Sequence, residues 1–330
     1  MRNVLFLFAT LALAGCATSP RPIAPLPLSN AAVPAPASVA ERFLTEPRRA
    51  DELDSLATWT TEDGATWLIA TAKSTHQLVV FDADSGQYLR SIGGKGPALG
   101  SFQRPNGVVV YGDLVFVSER DNRRIQVLSL PDFRPLGSFG EGQLRSPYGL
   151  WLHEPVPGEL QVYVTDSFMY GERHDVVPPL EELSQRIRRY RLAIDDDGRF
   201  QAAFVGSFGG TDDATVLRIV ESIAGDAAHD RLLIADEYTG DGTATRVQEY
   251  TLAGRHTGRS LPAGTFAAEP EGIALWSCPE DRGYWIVADQ LQPLTVFHLF
   301  ERHSLRPAGR LCGTAGAWAD GDTMRPFPAP

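Results

Sequence analysis

Trp67-Leu68-Ile69-Ala70-Thr71 decides the fold, because runs like it return four more times along the chain. They are Leu114-Val115-Phe116-Val117-Ser118, Gln161-Val162-Tyr163-Val164-Thr165, Leu232-Leu233-Ile234-Ala235-Asp236 and Tyr284-Trp285-Ile286-Val287-Ala288. Their first residues lie 47, 47, 71 and 52 positions apart. Each is followed by a polar turn and a second, alternating strand, as in Gln77-Leu78-Val79-Val80-Phe81-Asp82 and Arg124-Ile125-Gln126-Val127-Leu128. That is the period of a repeated four-stranded sheet, and such sheets stack radially as blades. The expected class is all-β, a six-bladed β-propeller of four-stranded antiparallel sheets. Ala317-Trp318-Ala319-Asp320-Gly321 reads as the opening of the sixth blade. Most of that blade is expected to be missing, because Arg325-Pro326-Phe327-Pro328-Ala329-Pro330 lacks ladder donors. A propeller gathers one loop per blade onto a single face. Acidic residues cluster in these loops, so the expected site is a many-oxygen cage for a hard cation.

The leading segment reads as three parts. Residues 1–16 form a signal peptide: Arg2, an apolar run over 4–14, then Leu13-Ala14-Gly15-Cys16. The run is too short to span a bilayer. The small residues before Cys16 resemble a bacterial lipobox, which implies lipidation of that cysteine and anchoring to the outer membrane. Residues 17–40 are rich in Pro, Ala and Ser without a period and read as a tether. Residues 41–330 read as the propeller, expected to be a monomer that meets the membrane only through the anchor.

Composition narrows the partners. Lys plus Arg number 30 against 41 Asp plus Glu, giving −11, so the Arg186, Arg188, Arg189, Arg191 run does not argue for nucleic acid. That run alternates with apolar residues and reads as a strand, although residues 179–190 also offer the best helical pattern. The long third interval carries an insertion over 170–182, readable as a solvated loop or as a lid. Cys278 and Cys312 leave a disulfide open. His76, His174 and His229 have no H-E-x-x-H spacing, so no zinc site is expected.

Ordered along the chain are Asp54-Ser55-Leu56-Ala57-Thr58-Trp59, Thr71-Ala72-Lys73, Arg104-Pro105-Asn106-Gly107-Val108 and Pro147-Tyr148-Gly149-Leu150. Val220-Glu221-Ser222-Ile223-Ala224, Leu233-Ile234-Ala235-Asp236-Glu237, Pro270-Glu271-Gly272-Ile273 and Ala319-Asp320-Gly321 follow. The set resembles the β-propeller phytases, calcium-dependent phosphatases of myo-inositol hexakisphosphate. The resemblance implies Ca2+ ligands at Asp54, Glu221, Glu237, Glu271 and Asp320, with Glu221, Glu237 and Glu271 central to catalysis. It implies phosphate contacts from Lys73, Arg104 and Tyr148, and attack by water, with no nucleophilic side chain. The chain departs from the family at Ser55 and Leu56, at Ser222 where the family has glycine, at Ala319 and at Asp166-Ser167-Phe168. A second reading comes from Arg104-Pro105-Asn106-Gly107-Val108 with residues 117–127, which are close to an NHL repeat. It implies a non-catalytic binding propeller in which Arg120, Asp121 and Asn122 form a structural turn.

Overall fold

The computed structural model describes residues 35–195, 200–291 and 294–314. A two-residue strand, β1 (Ala37–Ser38), comes first. Blade 1 is β2 (Leu53–Thr60), β3 (Thr66–Ala72), β4 (Gln77–Asp82) and β5 (Tyr88–Gly93). Blade 2 is β6 (Pro105–Tyr111), β7 (Leu114–Glu119), β8 (Arg124–Ser129) and β9 (Arg134–Phe139). Blade 3 is β10 (Pro147–Val156), β11 (Glu159–Asp166), β12 (Ile187–Ile194) and β13 (Phe200–Phe208). Blade 4 is β14 (Val220–Asp226), β15 (Arg231–Asp236), β16 (Arg246–Tyr250) and β17 (His256–Ser260). Blade 5 is β18 (Pro270–Ser277), β19 (Gly283–Asp289), β20 (Val296–Glu301) and β21 (Pro307–Cys312). Within each blade the strands pair antiparallel in chain order.

The five apolar runs of the sequence lie in the second strands, β3, β7, β11, β15 and β19. They are apolar throughout much of their length because a blade is covered on both faces. Inner strands pack side by side, β2 on β6, β6 on β10, β10 on β14 and β14 on β18. An apolar layer fills each of these four junctions. Trp59, Ile69 and Leu78 meet Val108, Val115 and Val117 between blades 1 and 2, and Leu233 and Val247 meet Trp285 and Phe300 between blades 4 and 5. Each such side chain contributes about 1.5–3 kcal/mol by leaving water.

The described residues form five blades, not the six expected from reading residues 317–321 as the opening of another. Every described strand from Leu53 to Cys312 belongs to one of five sheets. The stretch read as the opening of a sixth, including Asp320, lies outside the described residues, as does Cys16. The outer edge of blade 5 is occupied by β1, which pairs parallel to β21 with Ala37 opposite Leu311 and Ser38 opposite Cys312. The sheet therefore reaches back into the segment read as tether. From β1 the chain crosses to blade 1: Val39 N–H donates to the Cys312 carbonyl at 2.9 Å, Arg42 pairs with Asp84 at 3.1 Å, and the Phe43 ring lies against Gly86. This segment joins the outer edges of the first and last blades.

One local reading also changes. Residues 179–190 do not form one helix: a short 3-10 turn, Leu180–Gln185, gives way to β12 at Ile187. The alternation of the arginines prevails, and Arg188, Arg189 and Arg191 lie on that strand as expected. The insertion over 170–182 folds onto its own blade, with the Tyr170 hydroxyl on Glu182 at 2.6 Å and Arg145 on Glu182 at 3.2 Å. Cys278 and Cys312 are both free. The antiparallel order puts them at opposite ends of blade 5, one just past the end of β18 and the other at the end of β21. Among the described residues no helix is long and apolar enough to cross a membrane.

Candidate functional site

One irregularity recurs at the start of every inner strand. The pairing of first and second strands slips between Leu53 and Leu56, Pro105 and Val108, Pro147 and Leu150, Val220 and Ile223, and Pro270 and Gly272. Bulges re-aim side chains. The residue just after each strand's start is Asp54, Asn106, Tyr148, Glu221 or Glu271. A second ring comes from the residue following each second strand: Lys73, Arg120, Ser167, Glu237 and Gln290. The candidate site is built from these two rings, which occupy the same end of every blade.

Crowding explains the small residues beside the first ring. A Cβ on Gly149 would sit 2.2 Å from the Glu221 carbonyl oxygen, and one on Gly107 2.3 Å from that of Tyr148. Neighbouring inner strands thus touch backbone to backbone. Thr165 ties the same junction: its Oγ1 accepts from Gly149 N–H at 2.8 Å and donates to the Glu221 carbonyl at 2.9 Å. Thr71 acts similarly toward the Asn106 carbonyl at 2.6 Å. In blade 4, Ser222 stands where the resembled family has glycine, and its hydroxyl donates to the Glu271 carbonyl. That departure is a cross-link between blades 4 and 5.

Many loop acids belong to the fold rather than to the site. Asp166 accepts the Ser146 amide at 2.6 Å, Asp236 those of Arg218 and Ile219 at 3.0 and 2.9 Å, and Asp289 those of Ala267 and Ala268 at 2.9 and 2.8 Å. Glu119 accepts Gln103 N–H at 3.1 Å and is paired with Arg124 at 2.6 Å. Each acid ends a second strand and holds the loop entering the first strand of its blade.

Glu221, Glu237 and Glu271 converge, with one carboxylate oxygen of each within 4.8 Å of the others. They line a cavity of about 510 Å³ together with Lys73, Tyr148, Tyr238 and Glu269. Burial, then the charges of Glu271 and Asp54, raise the Glu221 carboxyl well above the ordinary carboxylate range. Glu237 is raised by burial and by Glu221 and Glu271, and Glu271 by burial and by Asp54 and Glu269. Glu237 Oε1 is buried and accepts no hydrogen bond. Three desolvated like charges, an unpartnered buried oxygen and an all-oxygen donor set fit a hard divalent cation.

Asp54 joins the cluster through Lys73, its partner at 3.2 Å. Tyr148 is held as the neutral phenol chiefly by burial, with Glu221 adding to the shift, and Arg120 hydrogen-bonds it. Arg104 has a left-handed backbone conformation (φ 50°), with Nη1 3.8 Å from Glu52, and is not among the residues lining the cavity. Asp320 lies outside the described residues. Sequence reasoning missed Glu269 and Tyr238, and placed Arg120 only in a structural turn. Arg120 was legible as the residue after the blade 2 fold acid, equivalent to Lys73 and Glu237.

No protein-family model matches the chain, and no curated protein matches it. Among solved structures it is similar to the nidogen/laminin complex (17% identity over 79% of this chain and 80% of that one, TM-score 0.48). It is also similar to the Kuenenia stuttgartiensis hydrazine synthase (10% identity, 80% of each chain, TM-score 0.44). A Bacteroides vulgatus member of the DUF4221 family is similar too (12% identity, 83% of this chain and 86% of that one, TM-score 0.46).

Proposed function

We propose that the chain is a calcium-dependent phosphatase of polyphosphorylated small molecules, of which phytate is the type. The observation that carries this reading is the convergence of Glu221, Glu237 and Glu271 beside Lys73 in one cavity. These glutamates, with Asp54, would hold Ca2+, which supplies neutralisation of substrate charge and polarisation of phosphoryl oxygens. Lys73 and Arg120 bring positive charge to phosphate oxygens, and Arg104, whose charge reaches Tyr148, adds to it. Tyr148, kept protonated, offers an O–H donor to the same oxygens. Water is the nucleophile, and a cavity carboxylate not engaged by the cation takes its proton. The Cys16 lipid anchor and outer-membrane location belong to the same proposal.

A non-catalytic NHL-like binding propeller is the second reading. It is favoured by blade 2, where Asn122 Nδ2 bonds the Gly96 carbonyl at 3.0 Å and Gln126 and Arg124 both bond Glu119. Those motif residues are occupied by the fold. The two readings part on turnover. Phosphate release from phytate by the full-length protein is expected with Ca2+ and should vanish under excess chelator and in Glu221→Ala. Release that ignores both would overturn the phosphatase proposal, and so would none from a calcium-stabilised protein.

A further inference from the structure

The opposite end of the blades carries a second convergence of ligand-type side chains. His229 lies in the turn between β14 and β15, Asp281 in the turn between β18 and β19, and His303 in the turn between β20 and β21. These turns are at the far end of the strands from the carboxylate cavity. His229 Nε2 is 3.0 Å from Asp281 Oδ2, and His303 Nε2 is 3.4 Å from the same oxygen. All three ligand atoms lie within 4.8 Å of one another. Atoms bound to one ion at about 2.1 Å are separated by about 3.0–3.5 Å, so only a small closure is needed.

The surroundings are built to present these atoms. Asp226, almost wholly buried, takes His229 Nδ1–H at 2.9 Å and so turns Nε2 toward Asp281. Imidazole backed by carboxylate is the usual outer arrangement of a metal-bound histidine. Arg302, also buried, donates to both oxygens of Asp226 at 2.7 Å and to Asp281 Oδ1 at 3.0 Å. Asp281 Oδ2 is thereby left to the two imidazoles. With Nδ1 donating to Asp226, His229 Nε2 and Asp281 Oδ2 are two acceptors facing each other, and a proton or a cation must lie between them. His303 Nε2–H donates meanwhile to the Asp281 carbonyl at 2.6 Å, a contact that a metal would replace.

We propose that His229, His303 and Asp281 form a site for a zinc-class divalent metal, distinct from the carboxylate cavity. Two imidazoles and one carboxylate select borderline ions over calcium. Three protein ligands leave a position open to solvent. The ion would join a turn of blade 4 to two turns of blade 5.

The test uses full-length protein stripped of metal, kept in excess Ca2+ so that the carboxylates are occupied, and titrated with Zn2+. One equivalent is expected to bind and to raise Tm. His303→Ala removes an exposed side chain, so its metal-free Tm should match the wild type. Its zinc affinity should fall more than about tenfold, since even an outer partner is worth 10–100-fold. The Glu221→Gln/Glu271→Gln variant should keep the full affinity. Absence of zinc binding by the wild type, unchanged affinity in His303→Ala, or loss in the glutamine variant would overturn the proposal.

Discussion

Asp236 and Glu237 are adjacent in the chain and face different partners. Asp236 holds the Arg218 and Ile219 amides at 3.0 and 2.9 Å, while Glu237 directs a carboxylate with an unpartnered oxygen into the cavity. Asp236→Ala should therefore cost about 2–4 kcal/mol, because it strands two amide donors. Glu237→Gln should instead raise the Tm of the calcium-free protein, because burial and the neighbouring glutamates disfavour ionisation of the carboxyl it replaces, and should lose the calcium response. Urea denaturation and thermal melts with and without Ca2+ check both.

The pH dependence follows from the same cluster. Glu221 titrates ordinarily at 4.5 and is raised to about 8 in the fold. The folded state then binds more protons than the unfolded one between those values, so stability falls as pH rises through that window. In the calcium-free protein, Tm should decline from pH 5 to 8, and the decline should be shallower in Glu221→Gln. Saturating Ca2+ should flatten it. Equal slopes for wild type and variant would contradict the assignment.

The contacts between inner strands are tested at Gly149 and Ser222. Gly149→Ala places a methyl 2.2 Å from the Glu221 carbonyl. Backbone must move, at a cost of more than about 3 kcal/mol. Ser222→Gly removes one hydrogen bond to the Glu271 carbonyl and should cost about 1 kcal/mol. Chemical denaturation of the calcium-free protein measures both.

Much of this architecture was legible in the sequence. Runs such as Leu232-Leu233-Ile234-Ala235-Asp236 announce second strands because both faces of a blade are buried. The blade count was not legible: it rested on Ala317 to Gly321, outside the described residues, and could not foresee Ala37–Ser38 closing the edge of blade 5. Glu221, Glu237 and Glu271 were found through the resemblance to the β-propeller phytases, whose motifs mark each of them. Glu269 precedes the strand and carries no such mark. His229, Asp281 and His303 come from three turns without motif spacing, so only the packing of blade 4 on blade 5 brings them together.

Lys73 places a fixed cation 3.2 Å from Asp54. Removing it in Lys73→Met frees Asp54 for the ion and should tighten Ca2+ binding by roughly tenfold, about 1.4 kcal/mol. The same change should raise KM for phytate by a similar factor. Calorimetric titration and initial rates read the two effects, and a weaker calcium affinity would refute the role given to Lys73.

The most direct measurement is the Tm of the full-length protein across a Ca2+ titration, beside the Glu221→Gln/Glu271→Gln variant. A cation that binds only the folded state raises Tm by mass action. The wild type should climb with Ca2+ while the variant, already relieved of its charge repulsion, stays level. A wild type indifferent to Ca2+, or a variant that climbs equally, would contradict the claim that these carboxylates form a calcium site.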